Sequence, residues 1–223
     1  MHKERIGTIA VALNIGKFKG ILINKNHNEL FFADKVIICE GLDEFIISAI
    51  ANEAFPHKLD DQNISIIAAG SKDNIDRLVD LVTRLRIKCF VIADFDYLLR
   101  DSSDECKNIN GKKHRHVINL GINYLSQPYI CGNNAVDKIR EIQRLRNELL
   151  KENKIEFLTK DGICILSGEI ENLSKDFAFI SPDKKLSLDK IYELNALLAT
   201  GKKMTDLFEC GEITEFIKTV LEK

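Results

Sequence analysis

No apolar run in this chain approaches the roughly 20 residues that a membrane-spanning helix needs. The opening residues, MHKERIGTIAVALNIG, have a charged start but neither the long apolar region nor the cleavage pattern of a secretory signal. No CxxC pair is present. The cysteines at 39, 89, 106, 131, 164 and 210 are scattered, and Cys39, Cys89 and Cys164 sit inside apolar runs, where a thiol behaves as a small hydrophobe. A disulfide framework or a zinc ribbon is therefore not expected, and the composition reads as that of a reducing, cytoplasmic protein without a membrane partner. Positive charge is not in excess: the net charge is −2. That is not the footprint of a protein that holds nucleic acid tightly by itself, although an enzyme that engages phosphates through metal ions need not be basic. There is no internal repeat, no low-complexity tract and no GxxxxGK phosphate loop followed by Ser or Thr.

What remains is a soluble-type composition, 45% hydrophobic over 223 residues, enough for one large domain or a domain with an insertion. The chain is organised around KVIICEGLDEFIISAIA, residues 35–51. A β-branched run, Val36 to Cys39, ends abruptly in Glu40-Gly41, and an apolar-periodic segment follows with Leu42, Phe45, Ile46, Ala49 and Ile50 on one side. This predicts a strand, a tight turn permitted by Gly41, and a helix. ISIIAAGSKDNIDRLVDLVTRL repeats the pattern of strand, glycine turn and helix, and CFVIADFDYLL adds an apolar strand ending in Asp94 and Asp96. Successive strand–helix steps predict an α/β fold with a parallel sheet. Carboxylates at the carboxyl ends of its strands would then share the edge where such folds bind ligands. Residues two apart in extended chain point to one side, so Asp94 and Asp96 are expected to face one point, beside Glu40.

EGLDE after a strand, AAGSKDN, and DFD after a strand together resemble a Toprim domain, and the details resemble the overcoming-lysogenization-defect (OLD) nucleases. FFAD before the first strand, the paired ExxxE of Glu40 and Glu44, the later SGEIEN element and a downstream lysine all carry that likeness, which runs from about Ile6 onward. The resemblance implies a Toprim/Rossmann-like central parallel sheet flanked by helices, with a helical or loop insertion and a C-terminal helical segment. It divides the chain into an N-terminal linker or strand segment, 1–34, and an OLD-like Toprim domain, 35–223, with a core at 35–100 and about 155–223 and an insertion at about 101–154. OLD proteins carry an ABC-type ATPase ahead of this domain; without the phosphate loop, the chain reads as one half of a split gene with a separately encoded ATPase, as a truncated gene or as a stand-alone product. DFD after a strand also resembles haloacid-dehalogenase phosphatases, but the glycine and threonine that follow in that family are missing here.

Outside the core, RDSSDECKNINGKKHRH is polar and aperiodic and reads as a loop. Its cluster Lys112, Lys113, His114, Arg115 and His116 reads either as a phosphate contact or as a solvated loop; two histidines are too few for a zinc site. Residues 134–152 are strongly helix-periodic, with Asn133 or Asn134 as cap and a charged outer face. Lys160-Asp161-Gly162 marks a turn between two short strands, the second of which, Ile163 to Leu166, runs into Ser167-Gly168-Glu169-Ile170-Glu171. Those acids share a side if the chain stays extended and diverge if a helix starts at Glu169, where they would serve as ordinary helix caps. Leu188 to Leu198 reads as a helix stopped at Gly201, with amphipathic turns between Asp206 and Leu221.

The family likeness turns these acids into a candidate metal site. It implies Glu40, Asp94 and Asp96 around one Mg2+ or Mn2+ ion, with Glu44, Glu169 and Glu171 binding or orienting a second. Oxygen-rich coordination of this kind supports in-line phosphodiester displacement. Ser71 and Lys72 at the start of the second helix are either a phosphate contact or a plain cap. Lys202 or Lys203 is the candidate for the family's lysine, or else a solvated residue at a helix end. The activity implied is a metal-dependent DNA endonuclease, oligomeric through itself or through the ATPase partner. The competing reading is a non-catalytic Toprim-derived module that binds nucleic acid or the ATPase.

Overall fold

The structure is a computed structural model that describes residues 29–94, 97, 162–176, 178–180 and 185–223. Asp96, the basic cluster at 112–116 and the periodic segment 134–152 lie outside the described residues. Among the described residues, no helix is long and apolar enough to cross a membrane.

The sheet is built from β1 (Lys35–Cys39), β2 (Ile64–Ala68), β3 (Lys88–Ala93) and β4 (Ile163–Ile165), all parallel, in the order β2-β1-β3-β4. These strands read as near-continuous Val/Ile runs because both faces are covered. Alternation sorts them. Val36, Ile38, Val91, Ala93, Ile163 and Ile165 join one core, while Ile37, Cys39, Phe90 and Ile92 join the other. The first core is closed by α3 (Lys72–Arg84) through Ile75, Leu78 and Val82. The second is closed by α1 (Asp43–Ala54), by α4 (Leu188–Ala199) and by α6 (Gly211–Glu222), with Ile46, Ile50, Leu194, Phe216 and Ile217 pointing inward. Each fully buried Ile or Phe contributes about 1.5–3 kcal/mol. The short helices α2 (Lys58–Asp61) and α5 (Met204–Leu207) complete the described elements.

The strand order creates the site. From β1 the chain passes through α1 to β2 on one side, then through α3 back across β1 to β3 on the other. The direction in which strands are added to the sheet thus reverses between β1 and β3, and the crevice beyond their carboxyl ends is the topological switch point where open α/β sheets take ligands. Parallel register puts Lys35 beside Lys88 and Ile38 beside Val91. Two further residues along each strand bring Glu40 alongside Ala93, next to Asp94. β4 pairs Ile165 with Ala93, and the Leu166 N–H donates to the Ala93 carbonyl at 2.9 Å, so the SGEIEN element leaves the sheet at the same edge.

Three expectations need correction. Gly41 is not among the positive-φ glycines, which are Gly70, Gly162 and Gly201, so the turn after β1 does not depend on glycine's backbone freedom. Phe45 is 41% exposed, and Ile46, Ile47, Ile50 and Ala51 form the buried face of α1. The stripe is rotated by one position because α1 is pinned on both sides, by the sheet and by α6. Finally, the last helix is a full 12 residues rather than a turn or two.

A candidate carboxylate site at the carboxyl edge of the sheet

Glu40 is the first residue after β1, and Asp43 and Glu44 occupy the first turn of α1, where negative charge suits the helix dipole. Glu44 Oε2 accepts the Ala68 N–H at 3.2 Å, tying the start of α1 to the end of β2. Asp94 follows β3; its Oδ1 is buried with no hydrogen bond to it among the described residues, while the side chain interacts elsewhere.

The electrostatics report how close these groups lie. The Cys39 thiol, fully buried at the end of β1, is pushed well above its ordinary pKa, first by burial and then by Asp43, Glu44, Asp94 and Glu40. Four carboxylates, three from the β1–α1 junction and one from the end of β3, are therefore close enough for their charges to be felt at this thiol. The Asp43 carboxyl is pushed up to about 7 by burial, then by Glu171 and Glu40, against the opposing pull of backbone N–H groups at Gly41 and Asp43. A carboxylate crowded by like charges and withdrawn from water holds its proton more tightly.

The SGEIEN element is held from several directions. The Ser167 N–H donates to Glu212 Oε2, in the first turn of α6, at 2.9 Å. The Glu169 N–H donates to Asn172 Oδ1 at 2.8 Å, and the Glu169 side chain accepts from the Asn172 backbone, a capping box on a 3-10 turn, Ile170–Leu173. A Cβ on Gly168 would stand 2.7 Å from Asn172 Oδ1, so this position needs glycine for space. Of the alternatives open in the sequence, the helical turn is the one realised, with Glu169 as its cap and Glu171 within it. Glu171 is buried, and its Oε1 accepts the Leu186 N–H at 2.5 Å. Its carboxyl pKa is raised by burial, opposed by that N–H and its own, raised further by Glu169 and lowered by Lys185.

Glu40, Glu44, Asp94 and Glu171 are thus brought to one edge, together with Asp43, which the sequence presented only as a neighbour of Glu44. Among the described residues, no three carboxylate, imidazole or thiol groups stand close enough to hold one metal ion between them. Asp96 lies outside those residues. Ser71 is the N-terminal flanking residue of α3 in extended conformation, without a side-chain cap bond, and Lys72 opens the helix after β2, the outermost strand on that side. Lys202 and Lys203 go elsewhere. Lys202 pairs with Asp176 at 3.6 Å, and the Lys203 N–H donates to Asp206 at 3.0 Å. The next residues, Met204 and Thr205, give their N–H groups to Glu53 in the last turn of α1, about 15 Å along that helix from Asp43. Lys185, which no motif singled out, is close enough to Glu171 for its charge to favour the ionised carboxylate. Glu212 and Asn172 were missed as well, since their roles depend on tertiary contact.

Comparison with known families agrees with this geometry. Residues 31–96, from the turn before β1 through DFD, match the family model described as "Overcoming lysogenization defect protein-like, TOPRIM domain". A search of curated proteins finds no match.

Proposed function

We propose that this chain, which carries an OLD-like Toprim domain over residues 31–96, is a divalent-metal-dependent DNA endonuclease. We assign it as the nuclease half of an ATPase–nuclease system, with a separately encoded ABC-type ATPase as partner, working in the cytoplasm. The observation that carries the reading is the crowding of Glu40, Asp43, Glu44 and Asp94 around Cys39 at the switch point of the sheet. So many half-buried carboxylates repel one another unless protons or cations intervene. The donors are all oxygens, the chemistry that Mg2+ and Mn2+ prefer.

In this reading Glu40 and Asp94, with Asp96, hold one ion, while Glu44, Asp43 and Glu171 hold or orient a second. Glu169 acts indirectly, by capping the turn that carries Glu171. Bound divalent ions would activate water and stabilise the leaving oxygen of the displaced phosphodiester. The protein's own contribution is to fix that geometry beforehand. Ala68 orients Glu44, Leu186 orients Glu171, and Glu212 holds the backbone at Ser167. Lys185, rather than Lys202 or Lys203, is the cation nearest the reacting phosphate, and Ser71 and Lys72 contact a flanking one. The pairing of β4 with β3 supports a core that resumes after an insertion at about 101–154.

One observation favours the second reading, a Toprim-derived module without catalysis: no three described groups close around a single ion. Plasmid nicking decides between the two. The enzyme reading expects nicking that requires Mg2+ or Mn2+ and disappears in Asp94→Ala and Glu40→Ala. Activity in both variants equal to the wild type would reject the assignment.

A further inference from the structure

Two of the four large hydrophobic side chains exposed among the described residues lie on α4: Leu188, 56% exposed, and Tyr192, 71% exposed. Spacing of three and four residues places Leu188, Tyr192, Asn195 and Ala199 on one face, about 17 Å long, and all four are exposed. The opposite side is committed to the core through Ile191 and Leu194. The exposed face carries no charge of its own. Asp189 and Glu193 step off it, and Glu193 is neutralised by Lys190 at 2.7 Å.

The position of this face ties it to the acids. Leu186, immediately before the helix, gives its N–H to Glu171, and Lys185 is close enough to Glu171 to stabilise its charge. The face therefore begins at the carboxylate site, with an exposed cation at its head and an aromatic ring one turn along. With a net charge of −2, the chain has little electrostatic grip on a phosphate backbone, so affinity has to come from elsewhere. Base–aromatic stacking is the sequence-tolerant alternative, and it requires an unpaired base.

From this we infer that α4 is a platform for single-stranded nucleic acid, with Lys185 at a phosphate and an unpaired base stacked on Tyr192 against Leu188. The inference rests on the nuclease reading for its substrate and narrows it to unpaired strands or strand ends entering the acid site along α4.

Binding can be measured apart from cleavage. Fluorescence anisotropy of the full chain in EDTA, with a labelled unstructured oligonucleotide and with its duplex, is expected to show tighter binding of the single strand. Tyr192→Ala is expected to weaken that binding about fivefold or more, and Tyr192→Phe to retain it. A 2-aminopurine base in the oligonucleotide should be quenched by the wild type and not by Tyr192→Leu, which keeps an apolar side chain and removes the ring. Equal binding of strand and duplex, or unchanged strand binding in both Tyr192→Ala and Leu188→Ala, overturns the inference. So does a result in which these variants alter only the sedimenting mass, which would make the face a contact between protein copies. A chain that binds the strand through Tyr192 but never nicks DNA with Mn2+ sinks the nuclease reading and leaves the platform standing. Nicking with Tyr192-independent binding does the reverse.

Discussion

Glu171, in the turn after β4, lies close enough to Asp43, in the first turn of α1, that its charge is second only to burial in pushing the Asp43 carboxyl up to about 7. The two residues come from opposite ends of the described chain and meet because β4 pairs with β3 and leaves the sheet beside α1. This pairing of acids makes the metal-free protein sensitive to pH in an unusual direction.

The Asp43 carboxyl has its ordinary pKa of 3.8 when unfolded and about 7 when folded. Between those values the folded chain holds a proton that the unfolded chain has lost, so stability falls as pH rises through this window. In EDTA, urea unfolding should show a less stable protein at pH 8 than at pH 5, and Asp43→Asn should flatten the difference. With millimolar Mn2+ the trend should weaken or reverse, because ions replace the proton. A metal-free protein that gains stability from pH 5 to pH 8 would contradict the placement of Glu171 against Asp43.

Gly168 is the next testable point, because a methyl group there would stand 2.7 Å from Asn172 Oδ1 and 3.0 Å from its Cβ. Gly168→Ala should lower stability by about 1–3 kcal/mol, the usual range for an overpacked site. Asn172→Ala loses the capping bonds but clears the space, so adding Gly168→Ala to it should cost much less than in the wild type. Additive losses in denaturant unfolding would mean that the two residues do not meet.

The sheet and its acid-bearing edge were legible because local signals agreed. Each Val/Ile run ends in a glycine or an acid, and each helix stripe follows at once, so β1, α1, β2, α3 and β3 could be read in order, with Glu40 and Asp94 on one edge. The meeting of Glu171 with Asp43 was not legible, since it depends on β4 pairing back across an intervening stretch of sequence. Phe45 was misjudged because a stripe read from periodicity alone does not say which edge of the helix a neighbouring α6 will cover. Lys202 and Lys203 were candidates because the family likeness includes a downstream lysine. The structure holds that segment at the far end of α1 through Glu53, a contact between residues far apart in the chain.

That last difference yields a direct comparison of lysines. Lys185→Ala should reduce nicking about a hundredfold, the scale for removing one group that stabilises transition-state charge. Lys202→Ala and Lys203→Ala should leave the rate within a few-fold of wild type, since Lys202 pairs with Asp176 on an exposed surface. The pattern is read from initial nicking rates at saturating Mn2+, with melting temperatures as the control for folding. Loss of activity in Lys202→Ala with Lys185→Ala unaffected would move the cation role back to the segment after α4.

Metal binding can also be tested without any activity. Crowded carboxylates cost the metal-free fold stability, and ions that bind the native state alone restore it by mass action, about 2.7 kcal/mol at a hundredfold excess over the dissociation constant. Millimolar Mn2+ should therefore raise the melting temperature by several degrees at neutral pH. The shift should shrink in Asp94→Asn, which removes a ligand's charge at nearly constant size, and in Glu171→Gln. It should change less in Glu169→Gln, because the Glu169 carboxylate is engaged in the capping box. Ionised carboxylates are required for binding, so the shift should fade as pH drops below about 7, where Asp43 gains its proton. Ca2+ should bind the same oxygens but, with its looser coordination, stabilise without supporting nicking. A melting curve indifferent to Mg2+, Mn2+ and Ca2+ at low salt would mean that the acids do not form a metal site, and the non-catalytic module would then be the better account of why they are gathered at one edge.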